Sequence, residues 1–106
     1  MPDDTGTITS AQSTQTMQTR IDYLERLGDE LVGRGLRVRL TMPLGTAPCL
    51  HVMNPEASAL TENILAEHGA DGWWFWWSWA ERIAVADDVP GAAQRVAQVL
   101  AAGSVT

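Results

Sequence analysis

The sequence predicts an α+β fold: an antiparallel β-sheet of four or five strands with N-terminal and C-terminal helices packed on one face. Three observations carry that prediction. Apolar residues recur at helical spacing from Met17 to Leu31, and a second helical stretch closes the chain after Pro90. Between them the period drops to two in "LRVRLTM", residues 36–42. Further on, "WWFWWSW", residues 73–79, gathers all five tryptophans and the single phenylalanine into seven positions.

The first 16 residues, "MPDDTGTITSAQSTQT", are mostly Thr, Ser, Gln and Asp, with Ile8 the one sizeable apolar side chain besides the initiator. Such a stretch buries too little to offset its ordering entropy, so residues 1–16 are expected to be a disordered polar tail. Residues 17–103 are expected to form one domain, as the 106-residue length suggests. Met17, Ile21, Leu24, Leu27 and Leu31 step by four, three, three and four, laying one stripe along a helix that Tyr23 and Val32 widen. Gly28 inside that stripe points to close packing, and Gly33 and Gly35 supply the left-handed backbone that stops the helix.

In the next segment Leu36, Val38, Leu40 and Met42 face one way, and Arg37, Arg39 and Thr41 face the other. "PLGTAP" reads as a turn and "CLHVMN", residues 49–54, as the returning strand. Residues 55–68 fit two structures. Asn54 as N-cap, Pro55 at the first helical position and the Ala, Leu and Glu content favour a short helix, which propensity selects. A strand over residues 62–67, turning through "HGADG" into the tryptophan run, is the competing assignment. "ERIAVA" reads as the hairpin partner of that run. The closing helix is capped by Asp87 or Asp88, has Pro90 in its first turn and ends at Gly103. Val89, Ala93, Val96 and Leu100 form its inner stripe.

In a strand, Trp73, Phe75, Trp77 and Trp79 share one face, expected to be the core face under the helices. Large aromatics bury roughly 150–250 Å² each, contributing on the order of 4–6 kcal/mol apiece as an upper bound. Trp74 and Trp76 project from the other face. They are covered if residues 55–68 form a helix there; otherwise they make an apolar patch of the kind that meets a partner. On a sheet face such a patch commonly meets its own copy, so a homodimer is expected.

Composition narrows the classes. Net charge is −6, from 13 acids against 7 arginines and no lysine, which argues against general binding to nucleic acid or to an anionic membrane. No apolar run approaches the ~20 residues of a spanning helix, and the start is acidic where a secretory signal would be basic. A lone cysteine, Cys49, fits a reducing compartment, so a cytoplasmic location is expected. The set of Cys49, His51 and His68 is too scattered to make a metal site, and no cofactor is implied. The Cys–His pair lacks the orienting third group that a nucleophile needs. Glu81 and Arg82 read as turn polarity or a local ion pair, and Asp87 and Asp88 as capping. No phosphate-binding glycine pattern or nucleophile elbow is present, so an enzyme is not expected.

The block "WWFWWSWAERIAVADD" followed by "AAQRVAQVL" resembles a group of short proteins of GC-rich actinobacteria, with "FWWSWAERI" its most distinctive part. The 14 alanines and the exclusive use of arginine agree with a GC-rich genome. The resemblance covers about half of the chain and brings no activity with it. In layout alone the chain is similar to small dimeric secretion-chaperone-like domains. These observations point to a small interaction module that binds a protein partner through an aromatic sheet face. Trp74 and Trp76 are the expected anchors, and Arg37 and Arg39 the rim. The alternative is a small-molecule binder with a Trp-lined pocket.

Overall fold

The computed structural model describes residues 2–42 and 47–100, with side chains from Thr16 onward except Ser58. Helix α1 (Pro2–Gly33) leads into β1 (Arg37–Thr41), β2 (Cys49–Asn54), β3 (Ala57–Gly69), β4 (Gly72–Trp77) and β5 (Arg82–Val85), and α2 (Val89–Val99) follows. The strands form one antiparallel sheet in the order β1-β2-β3-β4-β5. Both helices lie on the same face and also touch one another. This is the α+β arrangement that the sequence predicts.

Leu24, Leu27 and Leu31 of α1 are fully buried against Leu50, Val52, Ile64 and Phe75 of the sheet and Val96 of α2. Gly28 is buried against the sheet, but close packing does not require the glycine expected there: a Cβ would lie 3.4 Å from Val38 and 3.5 Å from Leu50, ordinary van der Waals contact. Val32 does not widen the stripe as expected: it is 55 % exposed, because at the end of α1 its face has turned away from the sheet. The helix stops in a Schellman arrangement. Leu36 N–H donates to Leu31 C=O and Gly35 N–H to Val32 C=O, with Gly35 at φ +93. Backbone in residues 2–16 continues α1, where a polar tail is the expectation from composition. Adding a residue to a helix that is already nucleated costs far less than starting one.

Residues 57–69 form the central strand, so the helix favoured by propensity over residues 55–68 is corrected. β3 is hydrogen-bonded on both sides, to β2 and to β4, and that pairing outweighs the helix propensity of its Ala, Leu and Glu residues. Asn54 accordingly caps no helix. Its carboxamide oxygen accepts from Glu56 N–H, closing the turn at Pro55, and its amide donates to Leu100 C=O at 3.0 Å. In this way Asn54, the one buried polar residue among the described residues, ties the β2–β3 turn to the end of α2.

Asp88 caps α2 by accepting from Gly91 N–H, while Asp87 instead accepts from the Tyr23 hydroxyl at 2.9 Å, joining α1 to the start of α2. Most of the turn expected over residues 43–48 and the helix end expected at Gly103 lie outside the described residues.

Candidate site on the open sheet face

Strand alternation divides the aromatic run. Phe75 is 0 % and Trp77 3 % exposed on the helix-covered face, where Tyr23 packs on Phe75 edge-on at 6.3 Å and on Trp73 at 5.7 Å. Arg20 reaches from α1 to the same end of the sheet. Its Nε donates to Ala66 C=O, its Nη2 pairs with Glu67 at 3.3 Å, and its guanidinium lies 5.7 Å from the centre of a Trp73 ring.

Trp79 departs from the expected core set: it is 48 % exposed. The chain reverses before the alternation reaches it, with Ala80 N–H donating to Trp77 C=O and Trp77 N–H to Glu81 C=O. Trp79 therefore sits in the β4–β5 turn and folds back to stack on Trp77, with ring centres 4.8 Å apart and planes 7° from parallel. The turn lacks the usual glycine signal because its positive-φ residue is Ala80, at φ 69.

On the opposite face lie Trp74 and Trp76, half-buried, and no described element covers that face. Arg37 and Arg39 share it. Arg37 is opposite Met53 and Arg39 opposite His51 across β1–β2, and those two residues are opposite Thr61 and Asn63 of β3. Leu65 is opposite Trp76 and Glu67 opposite Trp74 across β3–β4. All four predicted site residues thus share one face, but β2 and β3 separate the arginines from the indoles.

Arg82 is the functional candidate that sequence reasoning missed. Its guanidinium lies 4.5 Å from the Trp74 ring centre and 5.3 Å from that of Trp76, within cation–π range of both, and it pairs with Asp71 at 3.3 Å. "ERI" carries no hint of this, because only the cross-strand register places Arg82 opposite Trp76. The Trp74 indole N–H is covered and has no hydrogen-bond partner. A hollow of about 120 Å³ beside these rings is lined by Glu67, His68, Asp71, Trp74, Trp76 and Arg82. Near the other edge an open groove of about 380 Å³ is lined by Arg37, Val38, Arg39, His51 and Met53.

Cys49 and His51 point to the open face, where Thr41 Oγ1 lies 3.0 Å from Cys49 Sγ and His51 Nδ1 lies 3.0 Å from Asn63 Oδ1. His68 has the opposite strand parity and packs against Trp73 at 5.3 Å. These three residues do not converge, and among the described residues no group of three or more His, Cys, Asp or Glu side chains could hold a metal ion. Nor is any described helix long and apolar enough to cross a membrane.

No protein-family model, no curated protein and no solved structure matches this chain.

Proposed function

We propose that this chain is a small, non-enzymatic cytoplasmic interaction module that binds a protein partner through the open face of its sheet. Trp74 and Trp76 are the anchors, Arg82 holds them in place, and Arg37 and Arg39 form the rim. A homodimer belongs to the same reading, because a flat aromatic sheet face is readily self-complementary. The observation that carries the proposal is the placement of two half-buried indoles on a rigid strand, on the face opposite both helices. Large, stiff aromatic side chains on a regular element dominate protein interfaces, since they bury much area at little entropic cost.

The small-molecule reading has less support. The hollow beside Trp74 and Trp76 measures about 120 Å³, well short of the roughly 300–1,000 Å³ typical of ligand pockets.

A Trp74→Ala/Trp76→Ala variant tests the proposal by light scattering and by tryptophan emission over a dilution series. The expected result is a folded protein whose self-association, and the concentration dependence of its emission, are lost. A folded variant that associates as the native chain does would remove the sheet face from consideration.

A further inference from the structure

We propose that the occupant of the open face is a second copy of this chain. It docks face to face so that Arg37 and Arg39 of each copy meet Glu67, Asp71, Trp74 and Trp76 of the other. This rests on the protein-binding reading above and names the partner.

The register supplies the geometry. Arg37 and Arg39 lie in β1, in the rows of Met53–Thr61 and His51–Asn63, close to the β2–β3 turn. Trp74 and Glu67 lie at the other end of the face, beside the β3–β4 turn that carries Asp71. The two groups are three strands apart, about 14 Å, and roughly four residues apart along the strands, about 13 Å. They therefore occupy diagonally opposite corners. A two-fold axis lying in the interface, perpendicular to that diagonal, places each corner of one copy on the opposite corner of the other. Because the diagonal runs at about 45° to the strands, the strands of the two sheets then cross near a right angle, one of the two packing classes of sheets.

Charge and chemistry are complementary under that operation. Arg37 and Arg39 are exposed and have no ion-pair partner among the described residues. Glu67 and Asp71 keep 43 % and 63 % of their side-chain surface exposed despite their pairs with Arg20 and Arg82. The indole corner already holds one guanidinium, that of Arg82, over its rings. A second guanidinium arriving from above meets the same chemistry.

A nucleic acid stacked on these indoles would set its phosphates against Glu67 and Asp71, and a uniformly acidic partner would do the same. A second copy satisfies both corners together. The face spans about 24 Å by 20 Å, so two copies bury on the order of 1,000 Å², at the lower bound of specific interfaces. The dimer is accordingly a reversible one.

Sedimentation velocity over a concentration series tests this with Arg37→Glu/Arg39→Glu and with Glu67→Arg/Asp71→Arg. The native chain should dimerise, and each variant alone should associate at least about tenfold more weakly. Mixing the two variants should restore a mixed dimer. The arginine variant breaks no described ion pair, so it keeps the test decisive if the acid variant fails to fold.

A native chain that stays monomeric at high micromolar concentration overturns the second copy and leaves the face to a different protein. If Arg37→Glu/Arg39→Glu dimerises normally while Trp74→Ala/Trp76→Ala does not, this pairing is wrong and the sheet-face reading stands. If neither variant weakens the dimer, both fall. Binding of a single-stranded oligodeoxythymidylate that is lost in the tryptophan variant would replace both with nucleic-acid recognition.

Discussion

Phe75 and Trp76 are neighbours in β4, both large aromatics, and they do opposite work. Phe75 is fully buried on the helix-covered face, in one core cluster with Leu24 and Leu27 of α1 and with Tyr23 edge-on to its ring, and contributes to stability in proportion to the area it hides. Trp76 lies one residue on, half-buried on the face opposite the helices, with the guanidinium of Arg82 5.3 Å from its ring centre. The difference comes from which sheet face the two helices cover. One strand therefore supplies the core on one face and open surface on the other, and a mutation's effect should depend on parity more than on residue type.

The largest effect should separate the two faces directly. Phe75→Ala should lower the unfolding free energy by about 3–5 kcal/mol in a urea titration. Trp76→Ala, read in the monomer, should cost only about 1 kcal/mol, mostly the lost contact with Arg82. Equal losses would erase the distinction between the faces.

A second test concerns the point where the alternation ends. Ala80 holds a left-handed backbone conformation that costs an L-residue roughly 1–2 kcal/mol, so Ala80→Gly should raise the thermal midpoint. A fall would mean that the Ala80 methyl group supports the stack of Trp79 on Trp77.

The smallest effect concerns how α1 is held on the inner face. The hydrogen bond from Tyr23 to Asp87, reinforced by burial and by the carboxylate charge, raises the Tyr23 pKa above its ordinary value near 10. A raised phenol contributes stability that is intact below about pH 10 and is lost as pH climbs through the folded value. Tyr23→Phe should cost under about 1 kcal/mol at neutral pH and remove that part of the alkaline decline. An unchanged alkaline unfolding curve would dismiss the Asp87 contact as a stabilising one.

Much of the fold was legible in the residues because the signals are local. The 3.6-residue period of Leu24, Leu27 and Leu31, the glycine that ends α1, the alternation of β1 and the Asp88 cap are each set within a turn or two of chain. The parity of Trp74 and Trp76 followed from the strand alone. What the sequence could not decide depends on partners far away along the chain. β3 is a strand because β2 and β4 both pair with it, against its own helix propensity. Trp79 leaves the core because an alanine accepts the turn conformation one residue later. Arg82 reaches the indoles, and the arginines of β1 take the corner diagonal to them, only through the register of four antiparallel pairings. Period and capping are written within a few residues. Register is a balance of hydrogen bonds and buried area over the whole sheet, and tertiary structure alone decides it.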